Sequence, residues 1–164
     1  MLTSLATNYN RRNKNVRLYE LGNVYLPKSL PLTELPEERM QFTLGMYGDG
    51  DFFNMKGVVE EFFEKIGMKG REKYDPNAGK SFLHPGRQAN IIYDGKVVGY
   101  LGEVHPEVAD IYGIGERAYV AVLDMPEIIP YATFDRKYTG IAKYPAVTRD
   151  ISMVCLLYTS PSPR

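Results

Sequence analysis

Cysteine and histidine are scarce in this sequence, which narrows the chemistry that the chain can carry. Cys155 is the single cysteine. It excludes an internal disulfide and a cysteine-based zinc site, and it is typical of a reducing compartment. The two histidines, His84 and His105, each precede a proline, where turn-forming roles explain them. A metal site made by these histidines with Glu103 lacks a cysteine or a helical histidine pair, so we predict no metal ligands.

Neither sign of charge is in excess. Lys and Arg total 20 and Asp and Glu total 20, for a net charge of +0. Proteins that bind nucleic acid electrostatically usually carry a basic excess, so its absence weakens any claim that this chain binds RNA alone. No apolar run approaches the length of a membrane span, and residues 1–15 lack the core of a signal peptide. These absences predict a soluble cytoplasmic protein without a membrane partner.

Apolar and polar residues alternate in two early segments, a pattern that predicts β-strands. The first strand is predicted over 16–21 and again over 24–26, with a possible bulge at Gly22. Three prolines and a glutamate-rich end predict that 27–39 is a loop without regular pairing. The next strand is predicted over 41–47.

Apolar residues at three- and four-residue steps predict a helix over 52–68. The preceding glycine-rich turn ends at Asp51, which is the predicted N-cap, and Gly67 and Gly70 mark the stop. Four phenylalanines of this helix are most simply core residues, although the wider apolar face can also meet a partner subunit. They are Phe52, Phe53, Phe62 and Phe63.

The second half of the chain predicts a hairpin and a central strand. Strands over 89–93 and 97–102 flank an Asp94-Gly95 pair, which tolerates the backbone angles of a tight turn. A short helix is predicted over 106–112 and another over 126–131. The continuous apolar run 118–125 predicts the central strand. Together the elements predict an α+β fold, a largely antiparallel sheet with packed helices.

The only dense basic patch follows a helix end predicted over 2–13. It consists of Arg11, Arg12, Lys14 and Arg17. Basic residues suit a helix C-terminus, so a solvated helix end explains them. Contact with an RNA backbone or with another subunit is the alternative, and the sequence leaves all of these open.

A second domain is predicted to begin near the end of the chain. Tyr144-Pro145 predicts an extended entry into a strand over 144–154, in which Arg149-Asp150 is exposed or paired. A single strand is not a folded unit, so the chain is predicted to be a piece of a larger protein. The serine- and proline-rich tail 155–164 is predicted to be disordered or non-native, and it resembles translated sequencing-adapter read-through.

Four ordered motifs, over about residues 1–154, resemble one family. They are N-R-R-N-K-N-V-R-L-Y-E-L-G-N-V-Y at 10–25, D-F-F-N-M-K-G at 51–57, H-P-G-R at 84–87 with G-Y-L-G-E-V-H-P at 99–106, and K-Y-P-A-V-T-R-D at 143–150. The family is the bacterial phenylalanine–tRNA ligase (phenylalanyl-tRNA synthetase) β subunit, of which the chain resembles a C-terminal fragment.

The resemblance implies a domain arrangement. Residues 1–140 are expected to be a non-catalytic module with the antiparallel sheet of a class II aminoacyl-tRNA synthetase. Residues 141–154 are expected to begin a ferredoxin-like anticodon-binding domain, truncated here to its first strand. The module is expected to serve as a subunit-interface and tRNA-contacting scaffold.

The resemblance also implies partners and cofactors. A catalytic α subunit pairs with β in an α2β2 tetramer that joins phenylalanine to its tRNA, using ATP and magnesium. Chemistry is expected on α, so the isolated chain is predicted to be inactive, with no catalytic, cofactor-binding or metal residue of its own. The missing neighbours predict exposed apolar surface and poor solubility.

Two other functions are weighed against this one. A stand-alone synthetase-like enzyme needs its own ATP site, but the class II arginine motif F-R-x-E is absent, and the glycine-arginine segment 113–117 is interpreted as a plain turn. An independent dimerisation module with the same fold and no role in tRNA charging is the second alternative.

Overall fold

A six-stranded antiparallel sheet forms the centre of the computed structural model, which describes residues 1–68, 70–135 and 149. The strand order is β1-β2-β6-β5-β4-β3. The strands are β1 (Val16–Leu26), β2 (Glu37–Tyr47), β3 (Glu72–Asp75), β4 (Leu83–Tyr93), β5 (Lys96–Val104) and β6 (Ala118–Asp124). The helices are α1 (Leu2–Asn10), α2 (Phe52–Lys65), α3 (Pro106–Ile111) and α4 (Met125–Ile128), with a 3₁₀ turn at Ile129–Tyr131. These elements confirm the α+β prediction.

The sheet separates two apolar cores, because alternate residues of each strand point to opposite faces. One core lies beneath α2 and α4 and includes Met46, Val59 and Phe63. The other contains side chains of α1 and α3, such as Leu5 and Ala109. Both faces of β6 are buried, which explains its continuous apolar sequence and confirms its central position.

The β1–β2 hairpin corrects two predictions. Pairing runs without interruption, with Gly22 opposite Gln41, so the predicted bulge is wrong. Strand β2 begins at Glu37, inside the segment predicted as a loop. Residues 37–40 belong to the strand because they pair with residues 23–26 of β1. Arg39 Nε also donates to Asp124 at 2.6 Å, which ties β2 to the end of β6.

The boundaries of α2 follow from side-chain and backbone caps. The Asp51 carboxylate accepts a hydrogen bond from the Asn54 amide at 2.8 Å, while the Asn54 side chain accepts one from the Asp51 amide. This reciprocal capping box confirms the predicted N-cap. Gly67 ends the helix at φ 83°, and the Met68 amide donates to the Phe63 carbonyl at 2.8 Å. Gly67 was therefore a correct stop signal.

The β4–β5 hairpin also confirms its sequence signal. Asp94 and Gly95 adopt φ 51° and 81°, the left-handed values that a two-residue primed turn requires. Strand β3 was not predicted, because its four residues show no apolar alternation and its place is fixed by pairing with β4. Both strands of the hairpin extend beyond the predicted limits, to Leu83 and Val104.

The histidines take the turn-forming roles predicted for them. His84 Nδ1 accepts a hydrogen bond from the Gly86 amide at 3.1 Å. His105 Nδ1 accepts one from the Glu107 amide at 3.3 Å and caps α3. Within the described ranges, no helix is long and apolar enough to cross a membrane. The predicted domain start 141–154, with its strand over 144–154, and the tail 155–164 lie outside the described residues, apart from Arg149, which is exposed.

Candidate functional site

The predicted basic patch is divided by the sheet. Arg11, Arg12 and Lys14 are exposed in the segment that leaves α1. Arg17 follows the buried Val16 in β1, so its side chain points to the opposite face, the one that α2 covers. There Arg17 Nη2 lies 3.2 Å from Asp49 Oδ1, and both side chains are largely exposed. Arg11, Arg12 and Lys14 are therefore exposed in one short segment, whereas Arg17 lies on another surface.

A buried carboxylate lies on the same face of the sheet, in a cavity that Phe53 also lines. Glu103, on β5, is only 3% exposed at its side chain. Arg87, on β4, donates from Nη1 to both carboxylate oxygens at 2.9 and 3.0 Å. Arg117 approaches from the segment before β6, with its Nε 3.9 Å from the same carboxylate. Two cations therefore meet one buried anion.

Tyr119 belongs to the same cluster. Burial raises the pKa of its hydroxyl, and the negative charge of Glu103 raises the pKa further, while Arg117 acts in the opposite direction. The side chain is almost fully buried beside the carboxylate. At neutral pH the tyrosine therefore stays protonated and remains available as a hydrogen bond donor to Glu103.

These groups form the floor of an open cleft of about 510 Å³, which we call the Glu103 cleft. Its walls are largely apolar and come from the start of α2, from β3 and from β4. The principal lining residues are Phe52, Phe53, Tyr74, Pro76, Arg87, Ala89, Glu103, Arg117 and Tyr119. Phe53 was predicted as core, but it is 74% exposed at the rim because it faces away from the helix contact that buries Phe63.

Strand β1 presents a second notable surface. Among the described residues it is an edge of the sheet, since there only β2 pairs with it. Tyr19, Leu21 and Tyr25 share one face of the strand and are 76%, 56% and 60% exposed. We call these three residues the β1 stripe. An exposed apolar edge of this kind is typical of a surface that another protein chain covers.

Sequence reasoning missed the Glu103 cluster. Arg87 and Glu103 lie within the hairpin motifs, which do not predict that they pair, and Arg117 lies in a segment predicted to be a plain turn. The turn itself is confirmed, with Gly113 at φ 72°. One available signal was a glutamate inside the otherwise apolar strand β5, because such a residue needs a cationic partner when the strand is buried on both faces.

The described residues contain no group of three His, Cys, Asp or Glu side chains arranged to hold a metal ion. His84 and His105 are instead engaged in the turn contacts given above. The geometry therefore supplies an ion-pair cluster in an aromatic cleft, an exposed basic segment and an apolar sheet edge.

The fold resembles that of a solved pyrrolysyl-tRNA synthetase. The chain aligns with the pyrrolysyl-tRNA synthetase from Desulfitobacterium hafniense with a TM-score of 0.62, over 79% of this chain and 46% of that chain. A second structure of the Desulfitobacterium hafniense pyrrolysyl-tRNA synthetase gives a TM-score of 0.59 over 80% of this chain and 48% of that one. Sequence identities of 11% and 12% limit this likeness to the fold.

The chain belongs to the phenylalanyl-tRNA synthetase β chain CLM domain family, whose model matches residues 1–125. It is 42% identical to the phenylalanine–tRNA ligase β subunit of Clostridium acetobutylicum, over 94% of this chain and 19% of that protein. The corresponding subunit of Clostridium tetani is 37% identical, again over 94% of this chain and 19% of that protein. That of Streptococcus thermophilus is 36% identical, over 94% of this chain and 20% of that protein. The chain thus spans about a fifth of the length of these relatives.

Proposed function

We propose that this chain is a segment of a phenylalanine–tRNA ligase β subunit, which takes part in attaching phenylalanine to its tRNA with ATP. The observation that carries the proposal is the family match over residues 1–125, together with relatives of that name at up to 42% identity. The four sequence motifs lie in the same order as expected for that family. The segment's position in the C-terminal part of the subunit is part of the proposal.

The proposed role of the segment is structural. It presents surfaces to a catalytic α subunit and to tRNA within an α2β2 tetramer, while the chemistry takes place on α. A subunit called β in its relatives has a partner subunit, and the β1 stripe is a surface suited to burial against one. ATP and magnesium are assigned to the whole enzyme, because the described acidic and histidine side chains do not fit a metal site.

For contact with tRNA, the geometry favours Arg11, Arg12 and Lys14 over Arg17. The first three are exposed in one short segment, where they can reach phosphates. Arg17 already pairs with Asp49. We therefore propose Arg17 as a candidate for subunit contact, since it stands next to Tyr19 on β1.

The domain assignment remains part of the proposal. We propose residues 1–140 as the catalytic-like module and residues 141–154 as the start of an anticodon-binding domain. We also place the protein in the cytoplasm, where tRNA charging takes place.

Reconstitution tests the proposal. A complete β subunit that carries this segment is co-expressed with the α subunit, and the complex is assayed for phenylalanine attachment to tRNA. We expect co-purification and activity, and we expect Tyr19→Lys with Tyr25→Lys to reduce co-purification. The matched control is Ile111→Lys on α3, at a position 82% exposed and outside β1.

The same preparation separates the alternatives. Exchange of pyrophosphate into ATP, dependent on phenylalanine and catalysed by the 164-residue chain alone, would establish a stand-alone enzyme. Failure of the complete β subunit to bind α would favour the independent dimerisation module. Either result contradicts the proposed scaffold role.

A further inference from the structure

The Glu103 cleft contains two arginines, Arg87 and Arg117, but only one buried carboxylate, Glu103. Arg87 satisfies Glu103 directly, with Nη1 at 2.9 and 3.0 Å from the two oxygens. Arg117 stands farther away at 3.9 Å, and its side chain is 70% exposed. One positive charge therefore remains at the cleft mouth after the buried carboxylate has been neutralised.

The other acidic residue of the cleft is already occupied. Asp51 lines the rim, but its Oδ1 accepts the Asn54 amide at 2.8 Å as the N-cap of α2. The capping bond holds this carboxylate at the helix terminus, where the dipole also favours negative charge. It is therefore a weak competitor for the Arg117 guanidinium.

The walls of the cleft are suited to an aromatic ring. Phe52 and Phe53 meet edge to face, with centroids 5.7 Å apart and an interplanar angle of 89°. Phe53 is 74% exposed, and Tyr74 and Pro76 line the side formed by β3. An aromatic ring inserted here would cover exposed apolar surface on several sides, which the free cleft leaves in contact with water.

We propose that the Glu103 cleft binds a small aromatic molecule that carries one acidic group. The ring packs against Phe52, Phe53 and Tyr74, and the acidic group pairs with the Arg117 guanidinium. Nucleoside monophosphates and aryl carboxylates share this chemistry, since both combine a planar ring with an anion. The proposal does not depend on the subunit and tRNA contacts proposed above.

Ligand-observed NMR on the full chain at low protein concentration tests the binding. The probes are adenosine 5′-monophosphate for the nucleotide source and 3-phenylpropanoate for the carboxylate source, with inorganic phosphate and 3-phenylpropanamide as comparisons. We expect saturable binding of at least one aromatic anion, with inorganic phosphate and the uncharged amide each bound about tenfold more weakly or worse. The aromatic probe that binds more tightly shows whether the natural ligand is a nucleotide or a carboxylate.

Two variants locate the binding in this cleft. Arg117→Met is expected to weaken the charged probe about tenfold and leave the uncharged amide unchanged. Phe53→Ala is expected to weaken the charged probe and the amide to a similar extent, about tenfold, because it removes a ring contact and not a charge. The matched controls, Arg71→Met and Phe134→Ala, alter an exposed arginine and an exposed phenylalanine outside the cleft and are expected to bind like the parent chain.

Circular dichroism of every variant shows that the comparison is made between folded chains. Absence of saturable binding of both aromatic anions up to about 10 mM overturns the proposal. A buried ring with a charge pair is expected to bind with a dissociation constant below that concentration. Equal loss of binding in the control variants also overturns it. Binding that persists unchanged in both Arg117→Met and Phe53→Ala places the ligand elsewhere and has the same consequence.

Discussion

Arg87 holds the carboxylate of Glu103 across the β4–β5 pair, with Nη1 2.9 and 3.0 Å from its two oxygens. The arginine is 43% exposed, whereas the glutamate is 3% exposed. The anion is therefore the partner that depends on the contact, because a buried charge without a counterion is costly while the guanidinium can return to water.

Removal of Arg87 should destabilise the chain more than removal of Arg117. We expect Arg87→Met to lower the free energy of unfolding by about 3 kcal/mol, because Glu103 loses its close counterion. Arg117→Met should cost less than about 1 kcal/mol, since that arginine is largely exposed and more distant. Urea denaturation measures both. The double variant Arg87→Met with Glu103→Leu should recover much of the lost stability. Equal losses for Arg87→Met and Arg117→Met would contradict the view that Arg87 is the main counterion of Glu103.

The capping box makes a specific prediction for α2. Asp51→Ala should lower the free energy of unfolding by about 1 kcal/mol, because the Asn54 amide loses its acceptor. Asp51→Ser should retain most of the stability, since a hydroxyl can accept the same bond. Asp49→Ala provides the control, with an expected change within about 0.5 kcal/mol, because its pair with Arg17 is exposed. Thermal unfolding of the three variants decides the point.

Two glycines should respond to alanine in opposite directions. At Gly99 a Cβ would clash with the Val122 carbonyl oxygen and would lie 2.9 Å from Leu123 Cδ2. Gly99→Ala should therefore lower the unfolding free energy by about 2 kcal/mol or more. At Gly57, within α2, nothing lies within 4 Å of the added carbon, so Gly57→Ala should raise it by about 0.5–1 kcal/mol. Denaturation midpoints that move in the same direction would refute this contrast.

Tyr74 predicts a dependence of stability on alkaline pH. Its hydroxyl is buried without a hydrogen bond partner among the described residues. Burial raises its pKa well above the ordinary value, and the negative charges of Glu60 and Glu72 raise it further. The unfolded chain therefore loses this proton first, near pH 10, so the stabilising effect of the neutral tyrosine is complete below that pH and declines as pH rises.

Tyr74→Phe isolates this contribution. The variant should match or exceed the parent in stability at pH 7, because it removes an unsatisfied buried hydroxyl. Its free energy of unfolding should fall less steeply between about pH 10 and 12 than that of the parent. Urea denaturation at a series of pH values measures the slope. A steeper decline in the variant would contradict the proposed origin.

The β1 stripe bears on the solubility that the sequence predicts to be poor. We expect the full chain to self-associate through this edge, because within the described part of the chain β1 pairs on one side only and the β1 stripe is exposed. Tyr19→Lys with Tyr25→Lys should shift sedimentation towards the monomer, since charges on an edge oppose pairing. Ile111→Lys should leave the distribution unchanged. A monodisperse parent chain would contradict the prediction.

Local signals were sufficient for several elements of the fold. The Asp94-Gly95 turn, the Asp51 cap and the Gly67 stop depend on the backbone and on neighbours within a few residues, so the sequence predicted them correctly. Strand β3 was missed because its pairing with β4 is non-local. The bulge predicted at Gly22 was wrong for the same reason, since the continuous register with β2 decides it.

The candidate site was less accessible to sequence reasoning. Arg11, Arg12, Lys14 and Arg17 form one cluster in sequence, but strand alternation places Arg17 on the α2 face. Phe53 has the same residue type as Phe63 and lies ten positions earlier on the same helix, yet one is exposed and the other is buried. Which side of a helix meets the sheet depends on packing, and composition alone does not reveal it.

Without any coordinates, the order of motifs along the chain determined the family. The set of predicted elements determined the α+β class, and the continuous apolar run 118–125 determined the central position of β6. These properties are encoded in local periodicity, in turn residues and in the sequence of the motifs. The tertiary structure alone decided that Arg87 and Arg117 converge on Glu103, from segments 30 positions apart, and that the cleft above them has aromatic walls. Pairing between strands brings these distant residues together, so no local pattern in the sequence could have shown them as one site.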